Sequence, residues 1–215
     1  MAVSLPNGVV LSLATAYATS VVITGITNAS PAVATTSGLH SLAIGDIIEV
    51  TSGWSRLNNR LVRVLTVPTT STLTLEGIDA INTTAYPPGT GSGSLRKIST
   101  FTQISQILEL TSSGGEMQFV TYSFLEQDFE TQLPTQSSPQ QLSITIADDS
   151  TLAGYISMKA SATTRAITGF KAQLPSGSVL YYNGYVNFDE TPSLTKNQLM
   201  GCKGGFALQN RPVRY

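Results

Sequence analysis

FTQISQILELTSSGGEMQFVTYSFLEQDFETQL, residues 101–133, points to an all-β protein. The stretch is dense in Thr, Val, Ile, Phe and Tyr, residue types that suit a pleated, half-buried surface. Gly114-Gly115 interrupts it, and a glycine pair between two such runs is turn chemistry. The reading is a long hairpin, with residues 101–111 as one arm and the run from Glu116 as the other. In that second arm Glu126, Asp128 and Glu130 alternate with Gln127 and Phe129. Strand side chains alternate with period two, so the three carboxylates are expected on one face. At a spacing of about 7 Å each neighbouring pair repels by roughly 0.6 kcal/mol in water, which asks for an explanation.

Strand patterns extend to both sides. Residues 3–13 read as strand–turn–strand around Asn7-Gly8, and YATSVVITGI continues as extended chain. From Ile26 to about Leu95 the chain reads as a compact module of short strands: GDIIEVTSG (45–53), RLVRVLTV (60–67) and TLTLEG (72–77). Its expected core is Ile47, Val50, Leu61, Val64, Leu73 and Leu75. YPPGTGSGS (86–94) has the composition of a linker leaving that module. Beyond the hairpin, QLSITIA (141–147) is a further strand, and DDSTLAGYISMKASATTR (148–165) is the one credible helix. Asp148 or Asp149 is its expected cap; Leu152, Tyr155, Ile156 and Lys159 recur at helical spacing, and Arg165 suits its C-terminal end. Strands return in residues 169–190 and 197–215. LPNGVVL (5–11) echoes LPSGSVL (174–180), which common Pro-x-Gly turn chemistry explains as well as a duplicated unit does.

Composition narrows the function classes. Of 215 residues only 12% are charged, the formal net charge is -1, and 41% are apolar. That balance argues against a dedicated nucleic-acid binder, which needs a basic excess, and against disorder. The chain has one cysteine, Cys202, and one histidine, His40, too few for a thiolate zinc site or a histidine metal cluster. No G-x-S-x-G elbow accompanies His40, and GTGSGS lacks the Lys-Ser/Thr of a phosphate loop. The start, MAVSLPNG, has no secretory pattern, and no apolar run reaches membrane-spanning length. Asn28 and Asn82 open glycosylation patterns that mean little without such a signal. Trp54 is expected to pack at a turn edge on its own module, and Cys202 as a small buried hydrophobe. The acidic strip admits three readings: a solvated face, a calcium site together with Asp148, Asp149, Asp189 and Glu190, or a surface that repels an anion.

VSLPNGVVLSLA, EVTSGWSRLNNRLVRV, LTLEGIDA, TFTQISQILELTSSGGEMQFVTYSFLEQDFETQLPT, ITIADD, TPSLTKNQLM and the terminal RPVRY, in this order, resemble the major tail tube proteins of lambda-like phages with long, non-contractile tails. The resemblance implies a β-sandwich/barrel tail-tube domain with one flanking α-helix. Six such subunits form a ring, inner sheets join into a continuous barrel, and stacked rings conduct DNA into the host. It implies a structural virion protein made in the bacterial host cytoplasm, without enzymatic activity, cofactor or membrane. Its partners would be copies of itself and the tape measure, tail terminator and tail-tip proteins, with DNA passing unbound. Residues 26–93 resemble the small β-barrel modules inserted in many phage structural proteins, which leaves 1–25 plus 94–215 as a discontinuous tube domain. A lumen that conducts DNA should favour carboxylates, because Lys and Arg supply most non-specific affinity for phosphate. Glu126, Asp128 and Glu130 are the first candidates to face it, then Glu109, Asp189 and Glu190. The rival reading is a β-rich adhesin or carbohydrate-binding module on a virion surface; it needs an aromatic platform, and the chain offers one tryptophan, Trp54, and one tyrosine cluster, Tyr181, Tyr182 and Tyr185, which strand packing explains.

Overall fold

The computed structural model describes residues 7–215; residues 3–6 of the expected N-terminal hairpin lie outside them. The strands are β1 (Val10–Tyr17), β2 (Val21–Ile26), β3 (Val33–Thr36), β4 (Ile47–Ser52), β5 (Arg60–Thr69), β6 (Thr72–Leu75), β7 (Gly93–Ile104), β8 (Ile107–Ser113), β9 (Met117–Tyr122), β10 (Thr131–Ser137) and β11 (Gln141–Ala147). Helix α1 (Ala153–Thr164) follows, then β12 (Ile167–Gln173), β13 (Val179–Asp189), β14 (Gly201–Leu208) and β15 (Val213–Arg214). The chain is all-β with a single helix among the described residues.

Strands β2-β3-β6-β5-β4-β7 form a small barrel that closes where β2 pairs with β7. Closure removes the free edges that strands this short would otherwise expose. Gly93 makes close approach possible, because a side chain there would run into the Thr51 carbonyl of β4. Val50, Val64, Leu73 and Leu75 fill the barrel as expected, joined by Ile23, Ile48, Leu57, Val62 and Leu95. Ile47 and Leu61 do not: they point outward into a separate cluster with Ala14 and Ile98. The stretch YPPGTGSGS is not a linker. Tyr86 is buried and meets Trp54 edge-on at 5.1 Å, and Trp54 Nε1 donates to the Pro87 carbonyl at 2.9 Å. Proline and glycine serve here to turn tightly against an indole. Trp54 is 1% exposed, so Trp54→Ala should cost about 3–5 kcal/mol in denaturant unfolding. A loss below about 1 kcal/mol would show that the site collapses around the gap.

The larger sheet runs β7-β1-β12-β13-β14-β11-β8, antiparallel throughout, with β15 added along β13. One face packs on α1 through Leu11, Leu13, Ile144, Phe170, Val186 and Phe206. The helix begins later than expected. Asp149 does not cap it: Asp149 Oδ1 accepts from Thr151 N at 3.0 Å and Thr151 Oγ1 at 2.6 Å, closing a turn before the helix starts. Those bonds hold the Asp149 carboxyl below its ordinary pKa. Leu152 occupies the cap without a side-chain bond, and Arg165 ends the helix at φ 51. The buried stripe is Gly154, Tyr155 and Met158, whereas Ile156 is exposed. Gly154 lets the helix lie against the backbone of Gln103 and Ile104.

The two units share β7. Residues 93–97 pair with β2 and β4, and residues 98–104 pair with β1. The barrel therefore takes in Val21–Ile26 and the first half of β7, both reaching beyond residues 26–93. Two similar clamps secure the joint. Arg96 lies 4.0 Å over the Tyr17 ring and donates to Glu49 Oε2 at 2.9 Å, while Tyr17 Oη accepts from Gly169 N at 2.9 Å. Arg63 lies 4.2 Å over the Tyr215 ring and donates to Glu76 Oε1 at 2.6 Å, while Tyr215 Oη accepts from Arg63 N at 2.9 Å. Each pairs a cation–π contact with a charge-assisted bond. Burial raises the pKa of both phenols, so each stays a neutral acceptor. Asn183 Nδ2 adds a third tether, donating to the Asn59 carbonyl at 3.1 Å.

Candidate assembly surfaces

The expected pairing of residues 101–111 with the run from Glu116 does not form; a longer ribbon with a later reversal takes its place. β8 pairs with β11 inside the sheet, and β9 pairs with β10 in a separate two-stranded arm. Gly114 and Gly115, at φ 78 and 82, redirect the ribbon rather than reverse it. Ser138 N donates to the Glu116 carbonyl at 2.8 Å and closes the base of the arm. The reversal lies at residues 123–130, where Gln127 N donates to the Phe124 carbonyl at 3.0 Å and Phe124 N to Gln127 Oε1 at 3.3 Å.

Glu126, Asp128 and Glu130 thus sit on the exposed tip loop, not on a strand face. Period two is a strand signal only while a ladder continues, and this one ends at Tyr122 and Thr131. The tip has no Gly, Pro or Asn, only the weaker turn formers Ser123 and Asp128, so composition favours a turn at the glycines instead.

The arm is apolar on both sides. Met117, Phe119, Val120 and Leu133 are 53–55% exposed, and Phe124, Leu125 and Phe129 at the tip are more so. Val120 and Leu133 are cross-strand partners on one face, and Phe119 opposes Pro134 on the other. A lone two-stranded ribbon is marginal in water, and a contiguous apolar surface of this kind marks an interface. Covering the exposed half of each large side chain is worth on the order of 1 kcal/mol.

The sheet presents a second open surface of opposite character. Glu109, Thr145, Lys203 and Asp189 form a row across β8, β11, β14 and β13, followed by Thr111, Ser143, Gly205 and Asn187. Their sequence neighbours Ile144, Ile146, Cys202 and Phe188 face the helix side, so these rows face away from it. Apart from Gly205 and Thr145, which are half-buried, these side chains are exposed. This face is small and polar, a wetted surface rather than a packing one. Glu109 and Asp189 share it. Glu190 is drawn off by an ion pair to Lys159 on the helix, 2.6 Å long. Of the lumen candidates, the fold therefore brings together two and sends three to the arm tip and one to the helix. The outer edges of β8 and of β7 beyond Lys97 carry no further strand among the described residues.

The candidates for other chemistry are in structural roles. His40 is buried; its Nδ1 accepts from Leu42 N at 3.4 Å. Cys202 is buried with its Sγ 3.5 Å from Asp148 Oδ1, and burial pushes up the thiol pKa. Burial is also the main cause that raises the neighbouring Tyr155 phenol to about 12. Asp189 Oδ1 accepts from Thr191 N at 2.9 Å. Among the described residues no group of three or more His, Cys, Asp or Glu is placed to hold a metal ion, and no helix is long and apolar enough to cross a membrane.

Residues 52–215 match the sequence model of the phage tail tube protein family, TTP, and the chain belongs to that family. No curated protein matched it. Membership makes the protein a structural component of a phage virion that assembles into a tube with other tail proteins.

Proposed function

We propose that this tail tube subunit assembles into sixfold rings, that the rings stack into the conduit for DNA ejection, and that the polar face of the larger sheet lines the channel. The observation that carries the reading is the contrast between surfaces: open sheet edges, a wetted polar face, and an arm apolar on both sides. Each is unfavourable or unused in an isolated subunit and is accounted for by copies of the same chain. Pairing the edge of β8 with that of β7 on the next subunit would make the inner sheets continuous. The arm would cover its apolar faces against a neighbour.

In this reading Glu109 and Asp189 are the lumen acids, with Lys203 moderating the field. The polar rows between them offer DNA no cationic track to bind. The barrel, from Val21 through the first half of β7, is an inserted unit on a discontinuous tube domain. Tape measure, terminator and tip proteins are the expected partners at the lumen and ends of the tube. A catalytic role has no support in the placement of His40 and Cys202. A carbohydrate-binding role has little, because Trp54 is buried. Electron microscopy of the purified chain at rising concentration should show rings or tubes of uniform diameter. Persistent single particles at all concentrations, with no ring or tube in virions carrying the protein, would overturn the reading.

A further inference from the structure

We propose that the acidic arm tip of one copy of this chain seats in an arginine-lined cavity of another; the proposal rests on the tube reading above and names a contact within it. The cavity lies where the barrel meets the C-terminal segment. Its volume is about 510 Å³, and Ser55, Arg56, Arg60, Tyr86, Asn210 and Arg211 line it. Its two walls come from distant parts of the chain and are tied together by Asn210 Nδ2, which donates to the carbonyls of Asn58 at 2.9 Å and Arg56 at 3.4 Å. The cavity is thus formed before any ligand arrives. No acid lines it, and none of the ion pairs among the described residues involves Arg56, Arg60 or Arg211. Arg60 Nε is buried without a hydrogen-bond partner. A buried guanidinium donor of this kind calls for an anionic acceptor.

The chain carries a matching anion. Glu126, Asp128 and Glu130 are exposed and outside every ion pair among the described residues, and no Lys or Arg occurs between Lys97 and Lys159 to neutralise them. Three carboxylates on the arm therefore face the same number of unpaired guanidinium groups in the cavity. Planar carboxylates fit the guanidinium fork. Phe124, Leu125 and Phe129 surround the acids and would keep water from the contact, which strengthens the pairing. A nucleic-acid phosphate would also satisfy the arginines, but it would leave the acidic, apolar tip without a partner.

Charge reversal tests the pairing. Glu126→Arg with Glu130→Arg takes the tip from −3 to +1, and Arg56→Glu with Arg211→Glu takes the cavity from +3 to −1. Arg60 is left in place because of its burial. Each variant alone should lose at least tenfold in tube yield by sedimentation and electron microscopy, with its thermal unfolding close to that of the unmodified protein. A mixture should recover tubes, because each arm then meets an opposite cavity on the other variant. The chain carrying all four substitutions should assemble alone. Tubes at normal yield from either variant alone, or no recovery from two well-folded variants mixed, would overturn the proposal. So would normal assembly of the cavity variant with weaker retention of DNA, which would assign the arginines to phosphate. If the unmodified chain forms no tubes in the same assay, the tube reading itself fails, a result distinct from all of these.

Discussion

Replacing residues 117–137 by an Asn-Gly turn should abolish tube formation and leave the subunit folded. The substitution point is available because Glu116 and Ser138 already pair at the base of the arm, and Asn-Gly closes a two-residue hairpin there. No residue of the arm belongs to any of the core clusters, so their burial is untouched. Thermal unfolding should shift by no more than about 2–4 °C, the equivalent of roughly 1 kcal/mol in a chain of this size. Assembly should fall much further. Several apolar side chains each forfeit on the order of 1 kcal/mol of interface burial per subunit, and every 1.4 kcal/mol is tenfold in an association constant. Tubes at unchanged yield would remove the arm from the interface. A chain that no longer melts cooperatively would show instead that the arm supports the sheet through β8 and β11.

Substituting both Glu109 and Asp189 by Lys should slow DNA ejection from otherwise intact virions, most strongly at low salt. Each subunit then shifts by four charges, and both new cations join Lys203 on the same row. Phosphates passing such a row would bind it and displace counterions, which is the origin of the salt dependence. Screening over about 8–10 Å at physiological ionic strength sets the reach of the effect. Neither residue lies in a core cluster, so tube yield should hold. Ejection at the normal rate from normal tubes would take this face out of the lumen. The same reversal at the arm tip should act on assembly, and the two readouts separate the surfaces.

The β-rich class, the barrel and most of its core were legible from the sequence because alternation and turn residues agree there. Val50, Val64, Leu73 and Leu75 lie on strands whose ends are marked by glycine, proline or polar turns. Ile47 and Leu61 read the same way, but a strand in a barrel has an outer face too. Whether that face is wet or packed depends on the neighbouring unit, which local pattern does not report. The arm escapes a local reading because FLEQDFE imitates a strand by alternation while its turn is held by Gln127, and Gly114-Gly115 offers a better turn by composition. The arginine cavity left no local trace beyond the spacing of Arg56 and Arg60. Arg211 joins them only through the bonds of Asn210 to the barrel.

β7 passes without interruption from the barrel wall into the sheet, and the Tyr17 and Tyr215 clamps secure further strands across the same boundary. Mechanically that joint is a welded beam, not a hinge. A force applied to the barrel loads the sheet along a covalent strand, and twisting the two units apart would require breaking both stacked arginines together. In the assembly proposed above, a tube of such parts takes up curvature between subunits, by slip of arms and edges, while each subunit keeps its shape. If the arm makes the inter-subunit contacts proposed above, the stiffness of the assembled tail is set by the thin ribbon of β9 and β10, well away from the thickest part of the molecule.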